Sequence, residues 1–279
     1  MRPPPGWTVL VEESKTFESL VQQLHQLAMK PKWFFRGEPD QSFPTGQPAI
    51  GRLLAADAPT PLQGEVHMLG HFMDCASHQL DFHQHDVCDS VCGWLMLAQH
   101  HGMPTRFLDW TLSPWVAAYF AASEFPDRDG WVWCFDPQPV YERVPPSNRD
   151  CMNRALNSKL PHQFCTTIQS LGPTLGSLGL NGGTSRMVAQ RGVYTVGHPA
   201  SLDHLRYIGE ARVDTPGLAM ALSIPAKHKR PLMQMLWSMN IHAGSLFPGL
   251  DGVGRMVRSA MMYALDLPVV IPTSDSNPL

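Results

Sequence analysis

The stretch from Ala98 to Ser123, AQHHGMPTRFLDWTLSPWVAAYFAAS, constrains the fold of this chain more than any other. Gly102-Met103-Pro104 ends a helix, because glycine accepts the left-handed cap conformation and proline cannot continue the hydrogen-bond ladder. Arg106–Leu108 then reads as a short strand and Asp109-Trp110-Thr111 as its polar tip. Ser113 is the natural N-cap of a second helix, and Pro114 takes the first helical position, where a missing N–H costs nothing. Trp115, Ala118, Tyr119 and Ala122 recur at helical spacing, as a face packed on a sheet would. A strand feeding a polar turn into a helix N-terminus can hold an anion or a nucleotide. The same arrangement also occurs in ordinary folds.

A second stretch narrows the reading. In Trp33-Phe34-Phe35-Arg36-Gly37-Glu38, aromatic residues flank one arginine and Gly37 lets the chain leave the strand. Phe35-Arg36-Gly37, together with Gln99-His100-x-Gly102-x-Pro104-Thr105-Arg106-x-Leu108-Asp109-Trp110-Thr111, resembles the FRG family, named for its Phe-Arg-Gly motif. The resemblance is close over about residues 33 to 135 and loose elsewhere.

Bulk properties set wider limits. Of 279 residues, 43% are hydrophobic and 16% charged, as expected of a globular chain with an adequate core. A formal net charge of −3 leaves no basic footprint for an extended nucleic-acid surface. Six scattered cysteines contain no Cys-x-x-Cys pair and read as reduced, packed thiols. Neither a leader pattern nor a run of about 18 apolar residues is present, so neither secretion nor membrane spanning is supported and a cytoplasmic location is expected.

In chain order, Trp7–Val11 reads as an edge strand and Ser14–Met29 as a helix capped by Ser14, with Phe17, Leu20, Val21, Leu24 and Leu27 on one face. Residues 38 to 64 hold five prolines and three glycines and read as a long loop. Helices are expected over Glu65–Leu80 and Asp89–Gln99, and a buried strand over Trp131–Phe135, closed by Asp136-Pro137. Residues 137 to 184 have weak periodicity, with a mobile loop expected over Leu171–Gly183. Arg186–Val196 reads as a strand or strand pair and Leu218–Ile224 as another strand. Helices follow over Pro231–Asn240 and from about Gly252 to Leu265. The expected organisation is a lead and helix over residues 1–30, one FRG domain over 31–270 and a disordered tail over 271–279.

Arg36 invites two readings. It can pair structurally with Glu38 or Asp109, or its planar fork can recognise a phosphate or carboxylate. The order of elements, an arginine on an early strand, then helices, then a strand running into a P-x-x-A-x-x-FA helix, resembles the ADP-ribosyltransferase fold of the Arg–Ser–Glu type. That resemblance implies an α+β single domain with a split β-sheet core and surrounding helices. It implies NAD as substrate, with a bacterial toxin or phage-defence effector as the biological setting. Arg36 would hold the phosphates, Asp109-Trp110-Thr111 would stand in place of Ser-Thr-Ser, and Gly37 and Arg106 would complete the cofactor-binding set. No Glu-x-Glu is present for the third element. Gln190 is the best-placed residue for it, with Glu210 next. A glutamine can hydrogen-bond a ribose hydroxyl but carries no charge, so its presence leaves either a nucleotide binder or Asp109 as the acid. His100 could orient a substrate or act as a general acid or base, or it could simply cap its own helix. Arg106 could pair with Asp109 or reach a phosphate.

The chain supports two alternatives to a transferase: a non-catalytic nucleotide-binding module, and a metal-dependent hydrolase. The second rests on His67-x-x-x-His71-x-x-Asp74, followed by His78, His83, His85, Asp86 and Cys88. No metal is expected, because the family motif lies elsewhere and these histidines suit the outer face of an amphipathic helix. A Gly-x-Ser-x-Gly nucleophile elbow is missing.

Overall fold

The computed structural model describes residues 3–11, 14–42, 46–53, 61–80, 88–179, 184–211 and 217–263. Its strands are β1 (Thr8–Leu10), β2 (Phe34–Glu38), β3 (Phe107–Thr111), β4 (Gly130–Phe135), β5 (Thr174–Leu178), β6 (Gly192–His198) and β7 (Ala219–Ile224). They form one sheet in the order β1-β7-β4-β2-β3-β6-β5. Every neighbouring pair is antiparallel except β1 and β7, which run parallel at one edge. Thirteen helices surround it among the described residues, so the architecture is mixed α/β on a single sheet. No helix among these residues is long and apolar enough to cross a membrane.

The sheet is almost cut in two. β2 pairs with β4 along its whole length, and β3 does the same with β6, whereas β2 and β3 meet only at Phe35 and Thr111. Beyond that point the two strands part, and their backbone groups need other partners.

Two glycines set the distance between this sheet and the helix above it. The helix is α5 (Pro114–Ala122), opened by Ser113, whose hydroxyl accepts from the Val116 N–H, with Pro114 in the first turn. A Cβ on Gly37 would lie 1.9 Å from the Ala117 carbonyl, and one on Gly130 would lie 2.5 Å from that of Ala121. No side chain fits at either place. Ala117, Ala118, Ala121 and Ala122 are fully buried, so the helix is apolar nearly all round, not on one face. The Phe-Arg-Gly triplet divides its labour accordingly: Phe35 fills the core under α5, Arg36 turns to the opposite face, and Gly37 lets the helix approach.

The core has three parts. One lies between α5, α1 (Phe17–Ala28), α11 (Ala226–Ser238) and α13 (Leu250–Tyr263). A second, on the other sheet face, gathers Trp7, Trp110, Trp131, Trp133, Phe34 and Phe135 beneath α10 (His204–Glu210). The third joins α3 (Pro61–Ala76), α4 (Val91–His100), α7 (Pro146–Leu156) and α8 (Pro161–Ile168) to the β5–β6 end.

Two buried cations are locked into this frame. The Lys229 ammonium donates to the carbonyls of Pro39, Glu124 and Phe125 at 2.6–2.9 Å, which uses all three of its protons. Burial lowers its pKa to about 8. Arg106 is completely buried and donates through Nε and Nη2 to Glu65, and through Nη1 to the Gly197 carbonyl at 3.1 Å. It thereby pins α3 to β3 and β6, so its expected role toward a phosphate, or toward Asp109, is corrected to a structural one.

Several boundaries differ from the sequence expectation. Thr16, not Ser14, caps α1, in a reciprocal box with Ser19. β3 runs on through Asp109-Trp110-Thr111, which are strand residues and not a tip. The expected loop at 38–64 contains α2 (Ala49–Leu53). Residues 137–178 hold α6 (Pro137–Arg143), α7, α8 and β5; each of those helices opens on a proline, which reads as a breaker where the apolar pattern is weak. β5 also replaces part of the expected loop at 171–183, of which 180–183 lie outside the described residues. Residues 186–190 belong to α9 (Ser185–Ala189) and its cap, so only β6 is a strand there. α11 starts five residues before Pro231 and carries it inside; α12 (Ala243–Leu246) precedes α13. The tail at 271–279 lies outside the described residues.

Glu65→Ala leaves the Arg106 guanidinium buried without its counter-ion. The expected loss is about 3–5 kcal/mol in chemical denaturation, the usual cost of breaking a buried pair on one side. A loss within about 0.5 kcal/mol would show that the pair does not support the frame.

Candidate functional site

Where β2 and β3 part, a cavity of about 270 Å³ opens between α4, α5 and α9. Arg36, Gly37, His100, Asp109, Trp110, Thr111 and Gln190 all line it, so the fold gathers seven of the eight residues expected from sequence. Arg106 is the exception.

Arg36 lies across the seam. Its Nη1 donates to the Asp109 main-chain carbonyl at 2.9 Å, replacing a ladder bond that the diverging strands cannot make. Its Nε sits 3.6 Å from Glu38 Oε1, and 19% of the side chain remains exposed. Glu38 is buried, accepts a hydrogen bond from Trp133 Nε1 at 2.9 Å, and has its pKa raised by burial against the pull of Arg36. Both pairing partners expected of Arg36 are therefore present, Asp109 through its carbonyl and not its carboxylate.

The Asp109 carboxylate is aimed by its own motif. Gln99 Nε2 donates to Asp109 Oδ1 at 2.7 Å, and the Thr105 hydroxyl donates to Gln99 Oε1. The turn between them carries Gly102 at φ +88°, the left-handed conformation its sequence position calls for. Because the amide can present its N–H₂ to Asp109 only while its oxygen faces Thr105, this relay fixes which way Gln99 points. Asp109 is the only acidic residue lining the cavity among the described residues, and its side chain is exposed there.

The other members of the set are more constrained. The Thr111 hydroxyl donates to the Gln190 carbonyl at 2.7 Å and accepts from the Ser113 N–H at 3.1 Å. Gln190 is the C-cap of α9, and its Nε2 donates to the Leu246 carbonyl at 3.1 Å. One of its two amide N–H groups is thus engaged at Leu246, while the residue forms cavity wall. Glu210 pairs at the surface with Arg206 at 2.8 Å and is not in the cavity wall. His100 ends α4 with its ring against that of His101, and its pKa is lowered by burial and then by Arg186 and His101. The shift disfavours the charged imidazolium, so the ring facing the cavity is a weaker base than a free histidine.

Trp110 connects the site to a buried network on the far side of the sheet. Its Nε1 donates to Thr195 Oγ1 at 2.8 Å, and Thr195 Oγ1 lies 2.7 Å from His204 Nδ1. The indole can only donate, so Thr195 Oγ1 accepts from it and shares one further proton with His204 Nδ1, in the direction that the His204 tautomer sets. The His204 Nε2 is buried without a partner among the described residues, beside Gly197, where a Cβ would lie 2.5 Å away. Burial, then Arg36 and Arg106, lowers the His204 pKa to about 3.

Sequence reasoning missed Arg186, Tyr194 and Phe120 as cavity residues. Arg186 was obscured by a strand assignment. The available signal was Thr184, which caps α9 by accepting from the Met187 N–H. No group of three or more His, Cys, Asp or Glu suited to a metal exists among the described residues. His67, His71 and Asp74 lie exposed along α3, while His83, His85 and Asp86 are outside the described residues.

Residues 31–130 match the family model of the FRG domain. No curated protein and no solved structure matches the chain. The matched segment runs from just before β2 to the start of β4 and supplies Arg36, Gly37, Gln99, His100 and Asp109. Arg186, Gln190 and Tyr194 complete the cavity from outside it.

His204 makes the frame behind this site acid-sensitive. The unfolded histidine takes its proton near pH 6.5 and the folded one only near 3, so stability falls as pH drops through that window. The slope from this one proton is at most about 1.4 kcal/mol per pH unit. Thermal unfolding of His204→Gln between pH 7 and 4 should fall off less steeply than wild type; parallel curves would remove His204 as the cause.

Proposed function

We propose that the chain is an ADP-ribosyltransferase-like protein that takes NAD into the seam cavity, with Asp109 and not Gln190 as its acidic group. The observation that carries this reading is the Asp109 carboxylate, exposed in the cavity and aimed by the Thr105–Gln99 relay. Breaking the bond between ribose and nicotinamide develops positive charge on the sugar. A carboxylate already fixed in place stabilises that charge without reorganising. Arg36 offers its remaining donor capacity to a phosphate, and Phe120 supplies a flat apolar wall for a ring. The near-division of the sheet between β2 and β3 also supports the split-sheet resemblance.

The size of the cavity limits how the ligand sits. At about 270 Å³ it lies at the lower edge of ordinary ligand pockets, roughly 300–1,000 Å³, so it takes one nucleoside half of the dinucleotide and the remainder extends outward.

A non-catalytic nucleotide-binding module is the second reading. It is favoured by Gln190, which carries no charge and has an amide N–H held by the Leu246 carbonyl. Titration of NAD by calorimetry, followed by assay of nicotinamide release, separates the two. The transferase reading expects Asp109→Asn to keep NAD affinity within about threefold and to slow release by about 10²-fold or more. Binding by wild type without release, with or without a protein acceptor, supports the module. Absence of NAD binding would overturn both.

A further inference from the structure

We propose that Arg186 and Arg255, stacked on the ring of Phe247, form a second anion site that receives a diphosphate extending from the seam cavity. The Arg186 guanidinium carbon lies 4.6 Å from the Phe247 centroid and that of Arg255 lies 4.7 Å from the same centroid. The two charges are therefore no farther apart than those two distances combined. Neither side chain has an ion pair or a hydrogen bond among the described residues. Asp109 and Asp251 act on Arg186 only through the longer-range field. Burial is the first cause of its lowered pKa, and Arg255 adds to it.

That arrangement is unfavourable in the empty protein. Two cations share one ring, one of them is half-buried, and stacking on Phe247 offsets only part of the lost hydration. A doubly charged group reaching both guanidinium groups would neutralise the pair and fill their donor forks.

The position fits a ligand leaving the seam. Arg186 lines the seam cavity, while Arg255 and Phe247 line a second cavity of about 430 Å³ between α5 and α13. Phe120 forms part of both walls and sits edge-on to Phe247, ring centroids 6.0 Å apart. The identity of that ligand rests on the NAD reading; the anion site itself does not.

Inorganic pyrophosphate, titrated calorimetrically into the full chain, tests the site without the nucleotide. Wild type should bind it, and NAD should compete. Arg186→Gln and Arg255→Gln should each weaken binding about tenfold or more, the loss expected for a charge-assisted pair. Arg255 is exposed, so its variant keeps the fold, and the thermal midpoint of each protein verifies this. Failure of wild type to bind pyrophosphate, or unchanged affinity in folded Arg255→Gln, overturns the proposal. Pyrophosphate binding that both variants lose, in a protein that does not bind NAD, removes the dinucleotide and keeps the anion site.

Discussion

The Arg36 guanidinium, donating to the Asp109 carbonyl across a seam where β2 and β3 pair at one residue only, is the interaction on which the site depends. Without a bridge the diverging strands would leave main-chain groups unpaired, and the cavity between them would have no fixed width. One side chain therefore holds the opening and forms part of its wall. A strand-to-strand ladder could do the first but not the second. Glu38 completes the arrangement as a buried carboxylate beside the cation, itself held by Trp133.

The rest of the motif serves the same opening. Gly37 and Gly130 bring α5 down onto the sheet, so Phe120 reaches the cavity from above. Gln99 and Thr105 aim the Asp109 carboxylate from α4 and the turn after it. Arg106, one residue on, is turned inward to Glu65 and fixes the start of β3. Consecutive residues of one motif thus divide between aiming a group and anchoring the strand that carries it.

What the sequence made legible were features set by local chemistry. Ser113 and Pro114 identify the start of α5, Gly102 identifies the turn after α4, and the Trp131–Phe135 run identifies β4, because caps, positive φ and continuous apolar runs leave direct traces. Arg36, Asp109 and His100 were found for the same reason, as chemically distinctive residues inside short motifs. What was not legible depends on distant partners. Nothing near Arg106 points to Glu65, which lies 41 residues away, and nothing near Gln190 points to Leu246, 56 residues away. Helices α6, α7 and α8 escaped because prolines at their starts resemble breakers when apolar periodicity is weak.

Hydrogen exchange measured with and without saturating NAD tests the central claim most directly. The account predicts slowed exchange at β2, β3, α4, α5, α9 and α13, which carry the residues lining the seam cavity and the arginine pair beside it, with α3 unchanged. Protection on α3 instead, or no change at the seam while NAD is bound, would contradict it.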